Sequence, residues 1–318
     1  MRDPSRIVEA KTLGASEPWP AEVGAVRAHG RALSLANLNP ADRAMAAYAA
    51  LTAGIVLARI HYVPGAAGLL ALRAGLAVAL LGCATGRVPA WLRWLREFYP
   101  VLLAPVFYEE IGHLNRAFTA GFFDARVIAW EQALFGGQPS ITLRQQFPQV
   151  WLSEYLHLAY LSYYVLAPAV ALLLYLQRRH RDLEIFLGTV SVTFFACMSA
   201  FIVFPVTGPF HRFTPPVPQT LGPVVPALVH WVLRGGSSLG SAFPSSHVAV
   251  SMSVLLLAAR FSKPAFWVLL ALVPALAVGA VYGGFHYAVD ALAGLALALA
   301  VCWTLPPALE RWASGPHR

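Results

Sequence analysis

Two short polar segments stand at the starts of otherwise apolar stretches of the chain. The first is Phe243-Pro244-Ser245-Ser246-His247, and the second, His286-Tyr287-Ala288-Val289-Asp290, begins 39 residues after His247. Ionisable side chains near a bilayer are energetically unfavourable and usually mark a functional site. Histidine and aspartate can transfer protons, attack electrophiles or bind metal ions. The two segments therefore predict one assembled catalytic site.

His286 and Asp290 are four residues apart, a spacing that puts two side chains on one face of a helix. An aspartate one turn from a histidine can accept its ring N–H, which fixes the tautomer and raises the basicity of the other nitrogen. Such a histidine can serve as nucleophile, general base or metal ligand. The alternative is a pair that only stabilises the helix.

His247 follows two serines at the start of a different apolar run. The first turn of a helix offers free backbone N–H groups and a positive dipole end, and the hydroxyls of Ser245 and Ser246 add further donors. An anion site beside a second histidine suits phosphoryl transfer, in which one histidine attacks phosphorus and the other protonates the leaving oxygen. A capping or interfacial histidine is the alternative for His247 alone.

These motifs resemble those of the type 2 phosphatidic acid phosphatase superfamily. Pro244-Ser245-Ser246-His247 followed by His286-x-x-x-Asp290 is similar to the second and third signature motifs of that family. The resemblance covers residues 155–305 and implies a core of about six helices. It also implies that His286 forms a phosphohistidine, that Asp290 orients it and that His247 is the general acid.

The chain departs from the family pattern at the groups that usually hold the phosphate. The lysine and Arg-Pro of the first motif are not recognisable, and Gly279-Ala280 stands where Ser-Arg is usual. The His-Tyr-x-x-Asp form and an upstream Phe-Pro-x-x-Gly-Pro, here within residues 204–212, instead resemble the branch that contains fungal inositol phosphorylceramide synthase and its bacterial relatives. We predict that Arg212 binds the phosphate, with Arg234 as a weaker substitute. The alternative for Arg212 is an interfacial arginine.

A third group of polar residues lies at the start of another apolar stretch. Glu154 and His157 share a helical face with Tyr160, and together with Tyr287 they are candidates for a substrate pocket. The alternative is a hydrogen-bond network between helices. No His-Glu-x-x-His motif or carboxylate cluster accompanies the histidines, so we expect neither a metal nor another cofactor.

The composition is that of an integral membrane protein. Of the 318 residues, 58% are hydrophobic and 12% charged, and the mean hydropathy is +0.60. We predict an all-α polytopic bundle with a six-helix phosphatase-type core and about eight spans, near residues 42–60, 66–85, 98–114, 155–176, 184–205, 246–260, 264–282 and 286–305. The cysteines, Cys83, Cys197 and Cys302, all lie in these spans and predict neither a disulfide framework nor a zinc site.

The distribution of basic residues predicts an orientation. With both termini cytoplasmic, sixteen Lys and Arg residues lie on the inner side and six on the outer side. Both histidine segments then open on the outer side. The net charge of +8 is explained by topology, with some attraction to anionic membrane lipids, so we expect no nucleic-acid partner.

Four regions follow from this pattern: a cytoplasmic tail over 1–40, N-terminal spans over 41–114, an outer interfacial segment over 115–154 and a catalytic bundle over 155–310. In the outer segment Phe123, Val127, Trp130 and Leu134 predict one face of an amphipathic helix, which ends near Gly136. Asp124, Arg126 and Glu131 occupy its other faces. A cap over the bundle and a substrate-facing lid remain equal alternatives for this helix.

The predicted function is cleavage of a lipid phosphate ester on the outer face of a membrane, taken to be the bacterial inner membrane. The substrate would be a lipid phosphate or phospholipid, and an alcohol acceptor would make the enzyme a phosphotransferase of the inositol phosphorylceramide synthase type, which the missing first-motif cations favour. Water as acceptor would make it a plain lipid-phosphate phosphatase. A non-catalytic lipid-binding or transport protein is the alternative from another class.

Overall fold

The computed structural model describes residues 34–86, 88–213, 222–236 and 238–313. The fold is 79% helical, and no β-strand occurs among the described residues. This confirms the all-α class. The predicted cytoplasmic tail lies almost wholly outside the described residues.

Fourteen α-helices are described in these ranges. They are α1 Pro40–Ala58, α2 Ala66–Ala84, α3 Arg93–Glu109, α4 Ile111–Leu114, α5 Asp124–Phe135, α6 Pro139–Gln146, α7 Val150–Leu161, α8 Tyr163–Leu176, α9 His180–Val203, α10 Pro209–Arg212, α11 Val225–Gly236, α12 Ser246–Phe261, α13 Lys263–Tyr282 and α14 Ala288–Ala313. Short 3-10 turns lie at Leu35–Asn37, Ala90–Leu92 and Asn115–Ala117.

The number of helices able to cross a membrane is smaller than the sequence predicted. By length and apolar composition, five described helices qualify (α1, α2, α9, α13 and α14), or six if α7 and α8, which meet at a 49° bend, form one broken span. The predicted third span, α3, is interrupted by Pro100 and Pro105 and begins with charged residues. The sixth, α12, has 16 residues and is about 24 Å long, short of a ~30 Å hydrocarbon core. The count of eight spans is therefore not confirmed.

Helix α9 is the centre of the bundle. Of its span, 78% is buried within the protein, and it packs against α1, α8, α12 and α14. Helix α12 in turn packs against α13 and α14, while α13 packs along α7. The two helices that carry the histidine motifs therefore lie side by side against the most buried helix.

One glycine lets the two motif-bearing helices approach closely. A Cβ added at Gly294 of α14 would lie 2.5 Å from the carbonyl oxygen of Ser245, just before α12. Small residues allow such backbone contact between membrane helices. In addition, the Ser245 N–H donates to the carbonyl oxygen of Asp290 at 2.9 Å. The starts of α12 and α14 are thus joined backbone to backbone.

The outer segment contains the predicted helix, but the residues on its buried face differ from those predicted. Helix α5 runs from Asp124 to Phe135 and ends at Gly136, whose φ of 70° is the left-handed conformation that glycine adopts without strain. Its buried residues are Asp124, Val127 and Glu131, whereas Leu134 of the predicted apolar face is 65% exposed. Asp124 and Glu131 point inward, where they accept backbone hydrogen bonds from the segments around the two histidine motifs.

Candidate active site

His286 lies in the turn that joins α13 to α14, two residues before α14 begins. Gly284 adopts a φ of +74°, and the N–H groups of Phe285 and His286 both donate to the carbonyl oxygen of Ala280 at 3.0 Å. The helical spacing argument for His286 and Asp290 is thus only partly correct, because His286 precedes the helix. The tight turn brings its ring beside the first turn of α14.

His247 lies in the first turn of α12. The hydroxyl of Ser245 accepts the Val248 N–H at 3.3 Å, which makes Ser245 the N-cap of the helix. His247 and Ser246 are both buried and both line the cavity described below. The two serines predicted to bind phosphate therefore have different positions: Ser246 faces the cavity, and Ser245 caps the helix.

The two histidine rings face each other across the joined helix starts. Nδ1 of His247 lies 3.3 Å from Nε2 of His286. On its other side, Nε2 of His247 lies 3.2 Å from the hydroxyl of Tyr160, and Nδ1 of His286 lies 3.1 Å from the carbonyl oxygen of Ala242. The structure brings together the two histidines that the sequence placed 39 residues apart.

The Ala242 carbonyl oxygen sets the direction of this chain of hydrogen bonds. A carbonyl can only accept, so Nδ1 of neutral His286 carries the hydrogen and its Nε2 keeps the lone pair. That lone pair accepts from Nδ1 of neutral His247, whose Nε2 then accepts the Tyr160 hydroxyl hydrogen. In this arrangement Nε2 of His286 is the free base, as a nucleophile requires.

Asp290 lies near His286, but its carboxylate is just beyond hydrogen-bond distance from the ring. Its Oδ2 is 3.6 Å from Nδ1 of His286 and accepts the Tyr287 N–H at 2.8 Å. The carboxylate thus helps to cap α14 and also lies close enough to stabilise positive charge on the imidazole. The Ala242 carbonyl, which the sequence did not indicate, shares the role of fixing the tautomer.

A second carboxylate, Asp124 of α5, binds the segments around the site. Its oxygens accept the Thr207 N–H and hydroxyl, the Gly208 N–H and the Tyr287 hydroxyl at 2.9–3.1 Å. Arg212 also reaches Asp124, at 3.3 Å. Asp124 therefore holds the 207–212 segment against the start of α14. Its position seven residues from Glu131, on one helical face, is a signal that sequence analysis could have used.

Glu131 lies on the same face of α5 and caps α14. Its Oε1 accepts the Ala288 N–H, and the side chain is fully buried. Burial is the main cause that raises the pKa of Glu131 to about 7, and the N–H groups of Ala288 and Val289 oppose that rise. Glu131, which sequence analysis placed outside the apolar face of the helix, thus helps to hold the turn that contains His286.

A cavity of about 410 Å3 leads away from the histidines into the bundle. His247, His286, Ser246 and Ser241 line one part of it, and Tyr160, Tyr163 and Tyr164 follow next. The remaining wall consists mainly of apolar residues from α3, α8 and α9. The site is therefore a polar end of a predominantly apolar chamber.

The other sequence-predicted residues whose side chains are described lie away from this cavity lining. Arg212 is 41% exposed and paired with Asp124, and Tyr287 is buried against Asp124. Glu154 accepts the N–H groups of Val224 and Val225 at the start of α11, and Nδ1 of His157 lies 2.7 Å from the Ser153 carbonyl oxygen. Arg234 lies in α11, but its side chain is outside the described set. Tyr160, by contrast, contacts His247 directly.

The described residues contain no group of three or more His, Cys, Asp or Glu side chains arranged to hold a metal ion. No curated protein and no solved structure shows significant similarity to the chain. The model of the PAP2 superfamily matches residues 125–304, which are more than half of the chain and include both histidine motifs. With its apolar helices, this match indicates an integral membrane protein with a lipid phosphatase-type function, and the chain belongs to the PAP2 superfamily.

Proposed function

We propose that this protein cleaves a lipid phosphate ester through a phosphohistidine on His286. The observation that carries the proposal is the 3.3 Å separation between Nε2 of His286 and Nδ1 of His247 at the polar end of the cavity. A phosphoryl group that replaces this hydrogen bond and moves the two rings apart would meet a nucleophile on one side and a proton donor on the other.

In the first step, Nε2 of His286 attacks phosphorus and the bond from phosphorus to the ester oxygen breaks. His247 in its imidazolium form, which a bound phosphate anion favours, donates a proton to the departing oxygen. The positive charge that develops on His286 lies 3.6 Å from the Asp290 carboxylate. The products of this step are an alcohol and a phosphorylated histidine.

In the second step, neutral His247 takes a proton from the acceptor as its oxygen attacks phosphorus, and the bond from phosphorus to His286 breaks. Water as acceptor releases phosphate, whereas an alcohol receives the phosphoryl group. We infer transfer to an alcohol as the main reaction, as in inositol phosphorylceramide synthase. Both histidines are less than 10% exposed, so bulk water has little contact with the site.

The orientation belongs to the same proposal. The excess of inner-side Lys and Arg residues, sixteen to six, supports eight membrane crossings with cytoplasmic termini and an outward-facing site. Helices α3 and α12 would then be the short crossings. Labelling of single cysteines introduced at positions 180 and 239 tests this: the two must react from opposite sides of a sealed vesicle, and reaction from the same side rejects it.

The reaction is tested with purified protein in lipid nanodiscs. Phosphatidic acid and phosphatidylinositol are supplied as donors, each with and without ceramide, and both free phosphate and new phosphorylated lipid are measured. We expect a new lipid product that depends on the added alcohol. Phosphate release alone supports the phosphatase alternative. Absence of both products, with lipid still bound, supports the non-catalytic class.

A further inference from the structure

The apolar part of the cavity is built in part by α3, a helix that precedes the family-matched residues 125–304. Val101, Ala104 and Tyr108 of α3 line one wall. The opposite wall comes from Ala167 and neighbouring residues of α8 and from the aromatic residues of α9. A segment outside the matched region thus shapes the space next to the two histidines.

Prolines and small side chains account for the open space between these helices. Pro100 and Pro105 lie within α3, and Pro168 lies within α8; all three line the cavity. Proline removes a backbone hydrogen bond and bends a helix. Ala104 and Ala167 present only methyl groups to the space. The volume of about 410 Å3 is within the ~300–1,000 Å3 range of pockets that hold small-molecule ligands.

The cavity reaches the surface of the bundle between α3 and α8. Pro105 of α3 and Tyr164 of α8 line the cavity and are also exposed. Leu102 and Val165, on the outer surfaces of the same two helices, are 55% and 61% exposed, as expected for residues that face lipid. These residues place the opening on a flank of the bundle that is apolar except for Glu109 of α3, which is also exposed and lines the cavity.

The distribution of charged groups in the lining indicates which end of a lipid each part of the cavity can hold. No lysine or arginine occurs in the described lining, whose ionisable groups besides tyrosines are Glu109 of α3 and the histidines His211, His247 and His286. A free anion would lose its hydration in the apolar part without gaining a partner. A hydrocarbon chain would be stabilised there because its apolar surface is removed from water.

We propose that the space between α3, α8 and α9 holds the hydrocarbon chain of the lipid whose phosphate lies at His286, and that α3 determines which chains fit. The inference rests on the proposed function for the position of the phosphate. The binding of the chain is a separate property and can be measured without turnover.

The test uses Ala104→Phe, which fills the cavity from α3, and Leu102→Phe, which places the same side chain on the outer surface of that helix. Wild type and variants are compared on dihexanoyl and dioleoyl phosphatidic acid. We expect Ala104→Phe to lower kcat/KM for the dioleoyl lipid at least ~10-fold relative to the dihexanoyl lipid, and Leu102→Phe to leave this ratio unchanged. Equal losses on both lipids overturn the inference.

Photolabelling provides the measurement that is independent of chemistry and of turnover. Wild type and both variants, checked for equal thermal unfolding temperatures, are irradiated with a phosphatidic acid that carries a diazirine near the end of one acyl chain. We expect labelling within α3, α8 or α9 in wild type and Leu102→Phe, and its loss in Ala104→Phe. If Ala104→Phe is unstable, Ala167→Phe replaces it on the opposite wall.

The two proposals fail in different ways. Wild type that turns over phosphatidic acid but is labelled only outside these three helices overturns the position of the chain and leaves the reaction standing. Wild type that is labelled within them but releases neither phosphate nor a new lipid rejects the proposed reaction and leaves the chain site standing.

Discussion

The Tyr160 hydroxyl lies 3.2 Å from Nε2 of His247, on the opposite side of the imidazole ring from His286. The tyrosine ring also stacks on the histidine ring, with centroids 4.7 Å apart. Tyr160 therefore holds the ring of the proposed general acid in place, through stacking and through a hydrogen bond at its Nε2. It is a positioning residue, because it acts on the reacting phosphate through His247.

We expect Tyr160→Phe to keep the stacked ring and lose the hydrogen bond. Turnover should fall about 3- to 10-fold, since a single neutral hydrogen bond contributes about 0.5–1.5 kcal/mol. The loss should be greater for an alkyl ester than for nitrophenyl phosphate, whose leaving group needs little protonation. Tyr164→Phe, in which the ring lies farther from His247, is the control. Equal losses for both esters would contradict positioning of an acid.

The two histidines should differ in the step that they affect. His286→Ala should abolish the acid-labile phosphoenzyme trapped from radiolabelled substrate, because it removes the nucleophile. His247→Ala should still form it from nitrophenyl phosphate but slow cleavage of an alkyl ester by about 10²–10⁴-fold. A phosphoenzyme in His286→Ala would place the nucleophile elsewhere.

Asp290→Asn should be less harmful than the same change in a catalytic triad. The Ala242 carbonyl accepts the His286 N–H at 3.1 Å and still fixes the tautomer when the charge of Asp290 is lost. The remaining effect is loss of imidazolium stabilisation, for which we expect about a 10²-fold lower kcat, against ~10⁴ where an aspartate alone sets the tautomer. A 10⁴-fold loss with an unchanged melting temperature would show that Ala242 does not hold the ring.

Arg212→Ala tests the predicted phosphate ligand. Arg212 is paired with Asp124, and its side chain is 41% exposed. Its guanidinium can therefore leave Asp124 and bind a phosphate without a large change in its own exposure to solvent. We expect kcat/KM to fall by about 10²-fold and vanadate inhibition to weaken, as when one transition-state donor is removed. Arg126→Ala, which removes an arginine of the neighbouring helix α5, is the control. Wild-type kinetics and vanadate inhibition in Arg212→Ala would exclude this role.

Glu131 should make the stability of the folded protein depend on pH. Burial raises its pKa from 4.5 to about 7, so between these values the folded state holds a proton that the unfolded state has released. Stability contributed by the protonated form is complete below about pH 4.5 and is lost as pH rises through about 7. Glu131→Gln, which can still accept the Ala288 N–H, should flatten this part of the profile. Thermal unfolding in detergent at a series of pH values measures this dependence. An unchanged dependence of stability on pH in Glu131→Gln would contradict the role assigned to Glu131.

The helix starts at both histidine motifs could be predicted because local signals define them. Ser245 is an N-cap residue, and the apolar runs behind both motifs are long. The number of spans could not be predicted as well. Hydropathy marks α3 and α12, but proline interruption and a length of 16 residues leave both below the length and composition of a full span.

The groups around the histidines were less accessible to sequence analysis. The Ala242 carbonyl is a backbone group, so no residue type reveals it, and Tyr160 contacts His247 across 87 positions of the chain, which residue spacing does not reveal. Asp124 and Glu131 were assigned to outward faces of α5, since acids are usually exposed. Their partners include backbone N–H groups from segments more than 80 residues away.

Asp124 also constrains when the protein can become active during its synthesis. It is made long before Thr207, and Tyr287 emerges only with the last helix, yet this single carboxylate binds all three segments together. An incomplete chain leaves it without these donors, and a buried acid without partners is unfavourable. A partly synthesised protein therefore lacks the arrangement of these segments around Asp124 until α14 has been made.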